Sequence, residues 1–571
     1  MIETTPIYNR LARSLLLAFI CITILYRFFH LGEQSFWLDE IYTAQDTAEN
    51  LTFYQVFKNV TQLHENHPPL YFLILHGFLK ISHLSGEAGF RSISLLFSLL
   101  TIPVLLGIGK KIKDEWLGLG FVSVYSTSFL CLWFSMEARS YSFSFLLTSL
   151  LTFLLLLQVE KPSKWKLTGL ALLSTFFLYT SHFSVFIIPS VYLYYLFCDG
   201  KWNKIRFLEV LVSGVVVSIL YMPLLLIVTG QTSVTLEYIE KPSLNIFREA
   251  WVFFFSGGSL EYYLYAIPLL ASPFLYKKYL QKGGFGILLL MQLTLFVVLG
   301  FAFSYTILPI MHHKYMVYIY LPLLFLILLN FSLLLPRQLF IALVIFLSAK
   351  NLFFNSYLAI GETNKPPYKQ YLKNIFETES RLPVVTNIAS FASYYSEINN
   401  YNLSILPNTL SSDSCKLMLK NGFWEYHMHG PFQFFTNLDQ AIKDSMTLIG
   451  EAKYNMIGFI SLYAPKRKSF KIKVGNEEKE EKSAGKDQPL SLEIPEGDYV
   501  LIFKSHSGSN WKKSGIAFEI NGRHIDFEML GLEKFYSYHF RKTGLQNLDI
   551  KFLNHKGLPR PLMGDIYLIS E

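Results

Sequence analysis

Cysteine is nearly absent from this chain, with four residues among 571. Cys21, Cys131 and Cys198 lie in or at the ends of apolar runs and Cys415 stands alone, so neither a disulfide framework nor a cysteine metal site can be built from them. Charge is scarce as well: Asp, Glu, Lys and Arg supply 16% of residues, against about 25% in soluble domains. That excludes an ordinary soluble protein for most of the length. The first apolar run is not followed by a small-residue cleavage site but by polar and acidic residues, so it should stay as a helix. No internal repeat is visible. The surplus of base over acid, +8 in all, comes in short clusters between apolar runs, which fits membrane loops better than nucleic-acid binding.

What is present is hydrophobic, 52% of residues, in long runs that recur to about residue 355 and then stop. Spans are predicted near 12–31, 89–109, 116–135, 140–158, 166–181, 183–198, 207–229, 260–276, 285–304, 314–335 and 338–355. The fold class is therefore a polytopic α-helical membrane protein of about eleven spans with a polar tail. Five basic groups then share one side: Lys110, Lys111 and Lys113; Lys161, Lys164 and Lys166; Lys201, Lys204 and Arg206; Lys277, Lys278 and Lys282; and Arg337. The positive-inside rule makes that side cytoplasmic, with the N-terminus and its Arg10 and Arg13. The other loops and the tail face outward, from a cell (inner or plasma) membrane. The apolar stretch 68–82 would break this alternation if it crossed, so it is predicted to lie along the outer interface, entered at Pro68–Pro69.

Three domains are expected: a transmembrane domain at 1–358, an external α/β segment at 359–454 with a helix at 368–378 and a buried strand at 382–387, and an external β-sandwich at 455–571. The last is read from period-two runs such as Phe470–Val474, Leu490–Ile494, Tyr499–Phe503, Ile516–Ile520, Leu548–Phe552 and Asp565–Ile569, set apart by turn residues. The charged run 476–482 reads as a solvated loop.

The outward elements carry the chemistry-bearing residues. Asp39 and Glu40 follow the first span in Ser-Phe-Trp-Leu-Asp-Glu-Ile-Tyr. His67-Pro-Pro-Leu-Tyr71 comes next, then Gly86-Glu-Ala-Gly-Phe-Arg91, then Met136-Glu137-Ala-Arg139-Ser-Tyr141. Paired carboxylates at a membrane end suit a general base or a cation site. The pair could instead be a solvated acidic loop, and Arg91, Arg139 and Lys314 could each be a side chain snorkelling to the interface. His312 and His313 read as an interfacial polar pair whose side chains point apart on a helix; His182 and Arg248 are weaker candidates.

In their order and spacing these four motifs resemble the polyprenyl-phosphate-sugar-dependent glycosyltransferases of GT-C fold, the relatives of protein O-mannosyltransferases and aminoarabinose transferases. The resemblance spans roughly residues 10–355. It implies inverting transfer of a hexose or pentose from a polyprenyl-phosphate donor to an acceptor glycan, lipid or protein at the outer face. It implies Asp39 as general base, supported by Glu40 either electrostatically or through a divalent cation. Arg91, Arg139 and Lys314 would hold the departing phosphate, with His67, Tyr71, Glu137, Tyr141 and Tyr315 completing the substrate site. His67 would touch the phosphate or the acceptor, or serve the interface helix structurally. Glu137 would pair with Arg139 or orient the acceptor. Relatives often place Arg before Tyr where this chain has Lys314–Tyr315, and lysine offers a point charge in place of a fork. The tail resembles jelly-roll carbohydrate-binding modules, with Trp511 and Tyr536 as sugar-stacking candidates. A polyprenyl-linked glycan transporter is the alternative reading; it should carry its charges at the midplane and show repeated halves. A third is a membrane-anchored glycan-binding protein.

Overall fold

The computed structural model describes residues 6–63, 67–198, 202–229, 241–255, 259–281 and 284–360, together with the strands and the helix of the tail named below. The chain forms two units, Met1–Lys365 and Pro366–Glu571.

Among the described residues of the first unit seven helices are long and apolar enough to cross a bilayer: Ile7–His30, Gly86–Ile112, Tyr141–Glu160, Lys204–Ile227, Phe285–Thr306, His313–Leu334 and Arg337–Phe354. The predicted span 116–135 is a pair, Glu115–Thr127 and Phe129–Ser135, bent by 63°. Ser128 takes an extended conformation at the break, and a helix that ends inside apolar surroundings leaves carbonyls without partners. Arg27, wholly buried, answers one of them. Its guanidinium donates to the Ser126 carbonyl at 2.5 Å and to the Ser98 hydroxyl at 3.0 Å.

Three further predicted spans are short, with 15 residues in Lys164–Leu178, 10 in Ile188–Phe197 and 12 in Ser259–Leu270. At about 1.5 Å per residue none covers a core of about 30 Å alone. The difference from about eleven full crossings lies in these three. The stretch 68–82 forms the 13-residue helix Leu70–Ser82, closed by His83 at φ 53°.

His313–Leu334 sits at the centre, 89% of its apolar window buried, whereas Lys204–Ile227 is a rim helix at 17%. Gly86–Ile112 and Glu115–Thr127 meet backbone to backbone: a Cβ on Gly109 would lie 2.2 Å from the Gly118 nitrogen. Ion pairs gather the basic residues at one end. Arg13 and Lys110 reach Glu115, and Lys111 pairs with Glu160. Lys278 donates to the Leu333 carbonyl, and Arg337 covers the Trp116 ring. The acidic pair and its partners occupy the other ends of the same helices.

In the second unit β1 (Val384–Thr386), buried throughout, runs parallel to β2 (Ile405–Pro407) on one side and β3 (Phe423–Met428) on the other. The helix Ala389–Ile398 follows β1. β5 (Gly458–Pro465) and β4 (Met446–Tyr454) add antiparallel strands, giving the order β2-β1-β3-β5-β4. The mixed sheet thus continues past residue 454 to Pro465.

Eight strands follow: β6 (Ser469–Ile472), β7 (Leu490–Leu492), β8 (Gly497–Ser505), β9 (Ile516–Ile520), β10 (Arg523–Phe527), β11 (Phe535–Lys542), β12 (Leu548–Leu553) and β13 (Gly564–Ser570). Each of the six period-two runs contributes a strand over its described residues. They form antiparallel sheets β11-β8-β13-β6 and β10-β9-β12-β7. In chain order, strands one, eight, three and six pair in one sheet and two, seven, four and five in the other, which is jelly-roll topology. The charged run 476–482, Trp511, most of the predicted helix 368–378 and the side chain of Tyr536 lie outside the described residues.

Candidate active site

The site is built on a nine-residue helix, Leu38–Asp46, that begins as soon as the chain leaves the first span. Trp37 is its N-cap, and the Trp37 backbone N–H donates to Glu40 Oε2 at 3.3 Å, so the third helical residue closes the first turn. Two acids in that turn also face the positive end of the helix. Neighbours on a helix point about 100° apart, and this separates the pair. Glu40 turns inward and is wholly buried; Asp39 turns toward the opening, with its side chain 30% exposed.

Glu40 meets Arg91, which is also buried, in a two-pronged pair at 2.7 Å and 2.8 Å. The remaining N–H groups of Arg91 donate to the carbonyls of Leu31, Gln34 and Ser35. All five guanidinium donors are thereby engaged with protein. Glu40 Oε1 also accepts the Ala138 backbone N–H at 2.9 Å. The Glu40–Arg91 pair therefore ties the end of the first span, the acidic helix, the span Gly86–Ile112 and the Glu137–Arg139 turn into one piece. The N–H groups of Arg91 are thus directed at protein acceptors, and both Glu40 oxygens face Arg91. Among the described residues no three His, Cys, Asp or Glu side chains converge as a metal site.

Asp39 has different company. Lys314 Nζ donates to Asp39 Oδ2 at 3.1 Å and stands 3.7 Å from the centre of the Trp37 ring. Arg139 donates to the Asp39 carbonyl and to the Thr43 hydroxyl, both at 3.2 Å, and to His67 Nε2 at 2.6 Å. Burial alone would raise the Asp39 pKa, but Lys314 and Arg139, with a smaller push from His67, bring it below the ordinary carboxylate value. The His67 pKa is lowered too, which keeps this side chain neutral where Asp39 stays charged. Burial and the charge of Arg139, with His182 adding to them, hold it well below the usual imidazole range. A neutral His67 that accepts from Arg139 at Nε2 carries its proton on Nδ1.

The other predicted residues frame this centre. Glu137 is buried and accepts the indole N–H groups of Trp37 at 3.2 Å and Trp133 at 2.7 Å. Tyr71, also buried, donates to the Ser94 hydroxyl at 2.8 Å, and Ser94 donates to the Arg139 carbonyl at 3.2 Å. Tyr141 is buried against Phe134, ring centres 4.3 Å apart, and Tyr315 stacks on Phe183 at 4.9 Å. Tyr71 and Tyr141 thus pack behind the opening. Arg248 is exposed on the helix Asn245–Phe255.

His312 and His313 do not point apart. Their ring centres are 4.0 Å from each other, because His312 is the extended N-cap of a 3-10 turn and not a helical residue. Its Nδ1 accepts the Lys314 backbone N–H at 3.3 Å and so fixes the base of that side chain. Trp37, Trp133, Thr43 and Ser94 are the residues that motif reading missed. Only the adjacency of Trp37 to the acidic pair could have drawn notice.

Residues 66–227 match the family model of the dolichyl-phosphate-mannose-protein mannosyltransferases. No curated protein sequence matches the chain. Among solved structures, ArnT from Cupriavidus metallidurans in the apo state is similar at 12% identity and a TM-score of 0.51, over 79% of this chain and 98% of that one. The same protein bound to undecaprenyl phosphate gives 11% identity, a TM-score of 0.50, and 78% and 97% coverage. The chain is thus a multi-pass membrane protein that shares the fold of these solved structures, and part of its membrane unit is similar to the dolichyl-phosphate-mannose-protein mannosyltransferases.

Proposed function

We propose that the protein moves a monosaccharide, hexose or pentose, from a polyprenyl-phosphate donor to an acceptor hydroxyl or amine at the outer face of a cell membrane, with inversion at the anomeric carbon. One observation carries this reading: of the paired carboxylates, Asp39 alone is turned to the opening, and it is ringed by the side chains of Lys314, Arg139 and His67.

In the reaction the acceptor oxygen bonds to the anomeric carbon as the bond from that carbon to the phosphate oxygen breaks. The acceptor proton passes to Asp39, and the electron pair of the broken bond leaves with the phosphate. A carboxylate held below its ordinary pKa is a weak base toward a free alcohol. It takes the proton as bond formation makes the hydroxyl acidic. Lys314 and Arg139 stand where they stabilise the charge on the leaving phosphate. Glu40 is locked onto Arg91, so the pair supplies one working carboxylate, which suits a single displacement better than a covalent glycosyl-enzyme route.

The gathering of Arg13, Lys110, Lys111, Lys278 and Arg337 at the opposite end supports a cytoplasmic N-terminus and an outward site. A three-part division, with the mixed sheet running on to Pro465 before the jelly roll, and a carbohydrate-binding role for the jelly roll belong to the same proposal. The acceptor, whether glycan, lipid or protein, is the open variable. Purified protein given a radiolabelled polyprenyl-phosphate sugar and membranes from a strain lacking the gene should transfer label to an acceptor and release polyprenyl phosphate. Absence of both with every sugar offered would overturn the reading.

A further inference from the structure

Lys314 occupies two positions at once in the resting site. Its ammonium is bound to Asp39 Oδ2, the oxygen of the one carboxylate turned to the opening, and it rests on the face of Trp37. It remains partly open to solvent, its side chain 23% exposed. Trp37 cannot easily move away beneath it. The indole N–H is anchored on buried Glu137, which Trp133 also grips, and the Trp37 backbone N–H is held by Glu40, itself fixed by Arg91. The ring is thus a rigid platform under a flexible cation. An ammonium over an indole face is attracted weakly by the ring quadrupole, enough to guide it and too little to trap it.

We propose that Lys314 is a latch that Asp39 and the donor phosphate share, with Trp37 as the positioning residue that carries it between them. The proposal rests on the donor class assigned above. Before the donor arrives, Lys314 neutralises Asp39 and masks it from an acceptor. The donor phosphodiester, singly charged, competes for the ammonium. As the sugar leaves, the phosphate becomes a monoester whose charge rises toward two, while Asp39 takes a proton and loses its own charge. Both changes pull Lys314 the same way, so the cation follows the negative charge across the site during the chemical step. Lysine suits this task better than arginine, because a compact ammonium on a flexible stem can change partners without breaking a fork.

The departure of a cation from an indole face alters its fluorescence, which gives the test a readout unrelated to turnover. The full-length protein in detergent would be titrated with polyprenyl phosphate, and binding of the radiolabelled lipid measured in parallel. The expected result is a saturable change in tryptophan emission for wild type, lost in Trp37→Phe and in Lys314→Met at lipid concentrations where each variant is saturated. Wild type that binds the lipid with no change, or Trp37→Phe that keeps the change, would overturn the latch and leave the donor assignment standing. Failure of the lipid to bind would sink the donor assignment and the latch with it. Inorganic phosphate giving the same change at the same concentration would show that a free anion, not a lipid headgroup, draws the lysine.

Discussion

At the residue scale, two neighbouring carboxylates have opposite tasks, and the difference comes from one helical step. The motif order made Asp39 and Glu40 legible as a site, yet no property of the sequence says which of two adjacent acids turns inward. Arg91 shows the same limit. An arginine at a span end inside a family-like motif reads equally as a ligand or as a structural partner; its bonds to three carbonyls and Glu40 favour the structural reading. Arg91→Ala leaves a buried carboxylate unpaired and should cost about 3–5 kcal/mol of stability, seen as a lowered thermal midpoint in detergent, with Arg91→Lys recovering part. Wild-type stability with a raised donor KM would return Arg91 to the phosphate site.

A second expectation at this scale concerns pH. Asp39 is held below its unfolded value of about 3.9 because Lys314, Arg139 and His67 outweigh its burial. Its contribution to stability is therefore present above that unfolded value and lost as pH falls through the lower folded one. Lys314→Met removes the largest of the opposing charges and leaves burial opposed by Arg139 and His67 alone. The acid limb of kcat/KM should then move to higher pH. A limb that stays in place would mean that another group titrates there.

At the element scale, apolar length located helices at the predicted spans but neither the length of three of them nor the continuity of a fourth. The stretch 116–135 has the composition of one helix, and at its break Arg27, 99 residues earlier, reaches the Ser126 carbonyl. A lone arginine within an apolar run gives no sign of which carbonyl it will meet. Helix contact is similarly hidden. Gly109 and Gly118 lie on consecutive helices whose backbones touch, and a methyl group on Gly109 would fall 2.2 Å and 2.3 Å from the Gly118 nitrogen and Cα. Gly109→Ala should lower the thermal midpoint by an amount equivalent to about 1–3 kcal/mol or more, whereas Gly214→Ala, in open space on the rim helix, should not. Equal midpoints for the two variants would mean that the helices separate at no cost.

At the scale of the whole molecule, the alternation of apolar runs with basic clusters made the membrane unit readable, and period-two runs made the strands of the tail readable. The strand order was not, since β6 pairs with β13 across nearly a hundred residues and no local pattern encodes such partners. Orientation can be checked in intact cells. Single cysteines near Lys111 and Lys204 should be shielded from an impermeant thiol reagent and one near residue 480 should react; labelling at Lys111 would mean that the helix Leu70–Ser82 crosses the membrane. The central claim, that Asp39 accepts the proton in a sugar transfer from a polyprenyl-phosphate donor, is tested most directly by single-turnover rates of purified wild type and Asp39→Asn with the same labelled donor and acceptor, at matched folding and lipid binding. The account predicts a loss of about a hundred- to ten-thousandfold, and a rate within a few-fold of wild type would contradict it.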